Sequence, residues 1–344
     1  MGLLEYLRKR RQREDEKELR KERFVLTIDG GGSRGIIPAT VLSRIEELLP
    51  TMGLSTRITD HFDLIAGTST GGLIALALTI PDPSYFSLPH GMAGRAHRIV
   101  SLYREESSTI FPKPNPFLPT QFINQLFTSK YEDDSFNDLL MTLFGGKLME
   151  DALKPTMVVT YDYLNDHPHL LTSYNTGKVA MRKAARATCA APTYFSPVVL
   201  DSHLHLIDGG IVANNPVLYA YREAKRLFPD TDIFHMLSLS TGNAGPTLEY
   251  TRANRGVLSW MDPTKGTPLY RLYASSQMHT ADLLAQSLDS VHYLRIHNSK
   301  SRYIRLDETD DEVLAEMAAY GHDLYEEFEQ DIIRFFSPLR ASKE

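Results

Sequence analysis

Two strand–glycine–helix units lie within the first 80 residues of this 344-residue chain, and together they leave few folds open. The apolar run 24–28 enters Asp29-Gly30-Gly31-Gly32-Ser33-Arg34-Gly35. Apolar residues at helical spacing follow: Ile37, Val41, Leu42, Ile45, Leu48 and Leu49. The run 62–66 enters Gly67-Thr68-Ser69-Thr70-Gly71-Gly72, and a second apolar helix is predicted over 73–80. Parallel strands need a crossover, and a helix is the usual one, so the repeated unit predicts a parallel sheet. Ligands of such sheets bind at the carboxyl ends of the strands. Both glycine turns are therefore expected at one edge, where they can face each other.

The second turn carries the pattern G-x-S-x-G between a strand and a helix. Its glycines permit a tight turn, and Ser69 projects at the helix N-terminus, where N–H groups and the helix dipole favour negative charge. That setting suits a serine nucleophile; the plainer alternative is a glycine-rich junction or a phosphate cradle. In the first loop, three adjacent glycines let backbone N–H groups approach a ligand oxygen. They suit a phosphate or an oxyanion hole. No Gly-Lys-Ser/Thr closes the loop, so it is not a Walker A sequence.

Further along, helices are predicted over 95–106 and 120–153, separated by a proline-punctuated stretch with no assignable structure. Strands are predicted over 155–161 and 169–174. The small residues of 184–195 predict a short helix packed closely on the sheet, with Cys189 part of that packing. A strand over 204–207 leads into Asp208-Gly209-Gly210. An aspartate freed at a strand end by two glycines can act as a base; Asp-Gly is also a common turn. A helix is expected from Asn214-Asn215-Pro216 to about 228, then a strand over 233–240 that ends at Thr241-Gly242-Asn243. The last long helix is predicted to begin at Thr309-Asp310-Asp311-Glu312, a capping-box pattern, with Val313, Leu314, Met317, Tyr320, Leu324 and Phe328 on its inner face.

Composition narrows the class. A net charge of −6 gives no support for nucleic-acid binding. No apolar run reaches the roughly 18 to 20 residues of a membrane span, and no signal-peptide pattern opens the chain. The single cysteine excludes an internal disulfide and a cysteine-based metal framework, so no metal or other cofactor is expected and a cytoplasmic setting is the default. Residues 1–23 hold nine Lys/Arg and six Asp/Glu, and are expected to form a charged helix or tail outside the domain. Leu3, Leu4 and Leu7 beside Arg8–Arg11 could touch an anionic membrane surface, including the inner face of the membrane; a solvated helix is the plainer expectation.

The three motifs, Asp29–Gly35, Gly67–Gly72 and Asp208–Gly210, together with Ala185–Phe195, resemble the patatin-like phospholipase family in order and spacing. The resemblance covers about residues 24–216. It implies a three-layer α/β/α fold with a mostly parallel central sheet, in one catalytic domain over 24–344 whose C-terminal part, 217–344, completes the sheet and helices. It also implies a lipid acyl hydrolase that works at a membrane surface through an acyl-enzyme. Ser69 would be the nucleophile and Asp208 the base. Gly30, Gly31 and Gly32 would supply the oxyanion hole, with Arg34, Gly67, Gly71, Gly209 and Gly210 in support. A regulatory nucleotide would be compatible with the family, but no pocket for one is marked. Two other classes compete. A Ser-Asp-His triad would need one of His235, His279, His292, His297 or His322, and a nucleotide- or anion-binding protein would use the glycine loops without cleaving an ester.

Overall fold

The computed structural model describes residues 22–81, 94–111, 134–242, 268–298, 300 and 304–341. The N-terminal basic and apolar cluster, the proline-rich loop after residue 111, residues 120–133 of the predicted helix and Asn243 lie outside the described residues.

Eight strands form one sheet: β1 (Glu22–Ile28), β2 (Leu64–Thr68), β3 (Thr156–Asp162), β4 (His167–Thr172), β5 (Val198–Asp201), β6 (Leu204–Asp208), β7 (Ile233–Leu239) and β8 (Val291–Ile296). The helices between and after them are α1 (Ile36–Leu48), α2 (Thr70–Thr79), α3 (Arg95–Ile110), α4 (Asp134–Phe144), α5 (Met181–Thr188), α6 (Gly210–Ala213), α7 (Val217–Leu227), α8 (Pro268–Gln286) and α9 (Asp311–Ala341). The pairs β3–β2, β2–β1, β1–β7 and β7–β8 are parallel, and β4, β6 and β5 add antiparallel pairs on the β3 side. The mostly parallel sheet expected from the two glycine units is therefore present.

Burial on both sides makes the strands near-continuously apolar, as parallel central strands must be. Alternate residues nevertheless divide cleanly between two cores. Phe24, Leu26 and Ile28 of β1, Ile65 of β2, Val158 of β3 and Leu237 and Leu239 of β7 pack with α1, α2, α3, α5 and α9. Val25, Leu64, Ala66, Met157, Val159, Phe234 and Met236 face the other way, onto Ala213, α7 and Ala281 and Ala285 of α8. This period of two across a doubly covered sheet gives the three layers.

Several boundaries differ from the sequence expectation for local reasons. The second strand runs two residues later than predicted, through Gly67 and Thr68, because its ladder with β3 continues to Thr68–Val159. The small-residue helix starts earlier, at Met181, and ends at Thr188. The last helix is capped by Asp310 rather than Thr309: the Asp310 carboxylate accepts N–H groups of Glu312 at 3.0 Å and Val313 at 3.3 Å. Sequence periodicity did not reveal β5, β8 or α8.

Helix α9 lies across α1 and the sheet edge, and Phe336 is its deepest anchor, fully buried against Phe62 (5.9 Å between ring centroids) and His61 (6.1 Å). Phe336→Ala should lower the unfolding free energy by about 3–5 kcal/mol. Urea denaturation checks this, and an unchanged midpoint would mean that α9 does not anchor there.

Candidate active site

The register on β3 brings Ser69 and Asp208 together. β4 pairs with Met157 to Asp162 along one edge of β3, so β2, on Thr156 to Val159, and β6, on Thr160 to Asp162, must share the other edge. β2 is parallel to β3 and ends with Thr68 opposite Val159. β6 runs antiparallel and ends with Asp208 opposite Thr160. The two strands thus meet end to end, and the residue after Thr68 emerges beside Asp208.

That residue is Ser69, which has φ 54° and ψ −125°. A non-glycine residue in that region costs about 1–3 kcal/mol, and such strain gathers at functional turns. The turn is held rigidly. The Ser69 N–H donates to the Thr188 hydroxyl at 2.9 Å, and that hydroxyl donates to the Val159 carbonyl at 2.6 Å. Thr68 donates its hydroxyl to the Ala213 carbonyl at 2.7 Å. A Cβ at Gly67 would run into the Gly71 carbonyl, and one at Gly71 into the Ile28 carbonyl, so both glycines are required by close backbone approach. Ser69 then caps α2, whose ten residues are all buried, with its side chain half-buried at the positive end of the helix.

Asp208 is 4% exposed. Gly210 donates its N–H to the carboxylate at 2.7 Å, and the Asp208 N–H is tied to the Ala190 carbonyl at 3.0 Å. Burial pushes the carboxyl up to about 6, opposed by hydrogen bonding to the Ser69 side chain and to the Gly210 N–H. The Cys189 thiol adjoins both residues: burial and then the Asp208 charge raise its pKa, and the Ser69 side chain lowers it. A thiol so raised stays neutral and is a poor nucleophile.

The first glycine loop passes directly over Ser69, since a Cβ at Gly30 would lie 3.3 Å from the Ser69 Cβ. Here the expected donor set needs correction. The Gly30 N–H donates to the Asn214 carbonyl at 2.9 Å, and the Gly30 carbonyl accepts from Asn214 Nδ2 at 3.1 Å and the Thr241 hydroxyl at 2.6 Å. Gly30 is thus a fixed point of the loop and has no N–H to offer. The N–H groups of Gly31 and Gly32 have no acceptor among the described residues, and Gly32 reaches its place with φ 58°. Arg34 is buried and donates Nε to the Gly31 carbonyl at 3.2 Å.

The loop is anchored by an ion pair that local sequence patterns do not reveal. Asp29 is fully buried, and the Arg295 guanidinium grips its carboxylate through two bonds of 2.8 and 2.5 Å, with a third to the Ser238 hydroxyl at 2.8 Å. The pairing raises the Arg295 pKa and keeps it charged. Asp29 and Arg295 are 266 positions apart, so no local pattern could have joined them. Thr188 and Asn214 likewise carry no local signal of a site role, whereas Thr241 lies in the strand-end loop expected at the catalytic edge.

The histidines of the triad alternative lie elsewhere. His235 stacks on Phe24 at 4.4 Å and pairs with Glu22, at the opposite end of the strands, and His292 neighbours it in the ladder. His297 hydrogen-bonds Ser240 and is pushed down to about 4 by burial and the Arg295 charge. His279 and His322 are exposed. Among the described residues no group of three His, Cys, Asp or Glu side chains is placed to hold a metal ion, and no helix is long and apolar enough to cross a membrane.

A family model for patatin-like phospholipase matches residues 26–221, which include both glycine loops, Ser69 and Asp208. The chain belongs to the patatin-like phospholipase family. Patatin-like protein 2 of Arabidopsis thaliana is 31% identical over 313 residues, covering 82% of this chain and 74% of its own. A Solanum tuberosum protein named probable inactive patatin-3-Kuras 1 is also 31% identical, over 80% of this chain and 78% of its own. A patatin-like sequence at this level of identity therefore does not by itself fix activity, and the site residues must decide. Among solved structures, VipD from Legionella pneumophila aligns with 90% of this chain and 67% of its own at 12% identity and a TM-score of 0.39, too loose a likeness to carry an argument.

The raised Asp208 pKa has a consequence for stability. A carboxyl whose folded pKa lies above its ordinary value stabilises the fold at low pH, and that contribution is lost as pH rises through about 6. Asp208→Asn, which stays neutral, should therefore be more stable than wild type at pH 8 by up to about 3 kcal/mol, with the difference fading below pH 4. Denaturation curves at the two pH values test this; a variant less stable at pH 8 would contradict it.

Proposed function

We propose that the chain is a lipid acyl hydrolase that cleaves fatty-acyl esters through a Ser69–Asp208 dyad. Membership in the patatin-like phospholipase family supports the hydrolase class. The observation that carries the dyad is the end-to-end meeting of β2 and β6, which sets a strained serine beside a buried carboxylate with no histidine bonded to either among the described residues.

In this mechanism Asp208 accepts the proton of the Ser69 hydroxyl as Ser69 Oγ attacks the ester carbonyl. The N–H groups of Gly31 and Gly32 receive the oxyanion, in a loop that need not reorganise because Asn214, Thr241 and Arg295 already hold it. The intermediate collapses to an acyl-Ser69 ester, and the leaving alcohol takes the proton from Asp208. Water, deprotonated by Asp208, then attacks the acyl carbon; Ser69 Oγ leaves with the proton held by Asp208, and the fatty acid is released. An aspartate near its ordinary pKa would be a weak base for serine. Burial moves Asp208 closer to the working range, and the N-terminal end of α2 favours the developing negative charge on Ser69. The substrate is a lipid ester at a membrane or micelle surface.

Ser69→Ala should lower ester hydrolysis by about four orders of magnitude or more, abolish labelling by a fluorophosphonate probe and leave the circular dichroism spectrum unchanged. Cys189→Ala should keep both activity and labelling. Hydrolysis by folded Ser69→Ala at a rate near wild type would overturn the dyad, and a wild-type chain that neither hydrolyses esters nor takes the probe would favour the anion-binding alternative.

A further inference from the structure

Helix α3 (Arg95–Ile110) buries Ala96, Ile99, Leu102, Tyr103, Ser107 and Ile110 along one face. A hydroxyl on such a face must be hydrogen-bonded, because burying it unpaired is costly. Ser107 meets that need inside the helix, on the Tyr103 carbonyl. The Tyr103 hydroxyl instead leaves the helix and reaches Thr70, the residue that follows Ser69. It is hydrogen-bonded to the Thr70 hydroxyl and lies 3.5 Å from the Thr70 carbonyl. Tyr103 and Thr70 are both buried. Burial pushes the Tyr103 pKa well above its ordinary value, so the phenol stays neutral.

The contact has a counterpart at the other end of α2. Arg95, at the start of α3, donates Nη1 to the Leu78 carbonyl at 2.6 Å and to the Ile80 carbonyl at 2.8 Å. Thr70 and Leu78 are eight residues apart, as are Arg95 and Tyr103, so each pair spans about 12 Å of helix. Helix α3 therefore lies antiparallel along α2 and grips it at both ends. It is itself tied to α1, since the Glu46 carboxyl accepts the Ala96 N–H at 2.8 Å. The Thr70 end also meets the first glycine loop: a Cβ at Gly35 would run into both the Thr70 and the Tyr103 hydroxyls. Gly35 closes the short turn that starts at Gly32. One pair of buried hydroxyls is thus packed against the Ser69 turn on one side and the loop of Gly31 and Gly32 on the other.

We infer that Tyr103 is a positioning residue for ester hydrolysis: through Thr70, its hydroxyl sets where Ser69 Oγ stands relative to the N–H groups of Gly31 and Gly32. The inference rests on the reading of Ser69 as the nucleophile. Ser69 is held at φ 54°, a strained conformation that persists only where its surroundings over-determine it. Thr188 holds the Ser69 N–H on the near side of the turn, and Tyr103 holds the next residue on the far side. The Tyr103 hydroxyl acts through Thr70 and carries no charge. Removing it should alter geometry while leaving the ionisation of Asp208 and the binding of substrate alone. A misplacement of ~1 Å at the reacting atoms can cost ~100-fold in rate, so even a partial loosening of this turn is measurable.

Steady-state kinetics on a soluble short-chain ester, together with the rate of fluorophosphonate labelling, test this in the full chain. Tyr103→Phe removes the hydroxyl and keeps the ring. Its kcat and its labelling rate should both fall about tenfold, while KM and the pKa seen in the pH profile of kcat/KM stay at their wild-type values. Thr70→Val should behave in the same way, and Thr70→Ser, which keeps the hydroxyl, should restore the rate that Thr70→Val loses. The double variant Tyr103→Phe/Thr70→Val should be no slower than the slower single variant, because the two hydroxyls act as one unit. Thermal unfolding followed by circular dichroism verifies that each variant is folded at the assay temperature; should Tyr103→Phe not fold, the Thr70→Val and Thr70→Ser pair decides alone. A folded Tyr103→Phe with wild-type kcat would overturn the inference. So would losses that multiply in the double variant, or a Thr70→Ser as slow as Thr70→Val. A wild-type chain that neither hydrolyses the ester nor takes the probe would end the nucleophile reading and this inference with it, an outcome distinct from an active wild type matched by Tyr103→Phe.

Discussion

The site depends on one constraint in the sheet: β3 lends a single edge to two strands that arrive from opposite directions. β2 fills that edge as far as Val159, and β6 takes over at Thr160. Neither strand can be lengthened without colliding with the other. The serine turn and the aspartate turn are therefore forced into adjacent positions, and each must leave the sheet at once. Ser69 does so by adopting φ 54°, and Asp208 by handing over to two glycines, where a Cβ at Gly209 would strike the Val159 carbonyl. The same backbone group, the Val159 carbonyl, accepts the Thr188 hydroxyl that holds the Ser69 N–H. Strand register, turn strain and side-chain anchoring thus converge on one residue of β3.

Around this meeting point the structure spends buried polarity to keep the glycine loop still. Asp29 at the end of β1 would be costly as an isolated carboxylate, and Arg295 from β8 offsets that cost only because its geometry is bidentate. Asn214 and Thr241 fix both polar groups of Gly30, leaving Gly31 and Gly32 as the loop's open donors. Rigid donors are what an oxyanion site needs, since donors that must turn towards the charge lose much of their value.

Much of this was legible in the sequence, and the reasons are local. Strand, glycine turn and helix are contiguous, so Ser69, the glycine loop and the parallel sheet could be read from runs of fewer than twenty residues. Asp208 could be read as a strand-end carboxylate. What escaped is non-local or lacks a periodic signal. Arg295 meets Asp29 across almost the whole chain. Thr188 looked like one small residue in a close-packed helix, and Cys189 beside it gave no sign that it adjoins the dyad. Gly30 looked equivalent to its two neighbours, and only the Asn214 carbonyl distinguishes it. β8 is half-buried along most of its length, with His292 exposed and Ile296 alone buried, and β5 is four residues long, so neither produced a pattern.

The central claim is that a buried aspartate, acting without histidine, is the base for Ser69. The pH dependence of kcat/KM on a soluble ester tests it most directly, because that profile reports the ionisation of the free enzyme. With Asp208 raised to about 6 by burial, the rate should climb tenfold per pH unit below that value and level off above it. The inflection should be unmoved when His297, which is hydrogen-bonded to Ser240 near the catalytic edge, is replaced by Gln. A profile that inflects near the ordinary aspartate value, or one that loses its inflection in His297→Gln, would contradict the account.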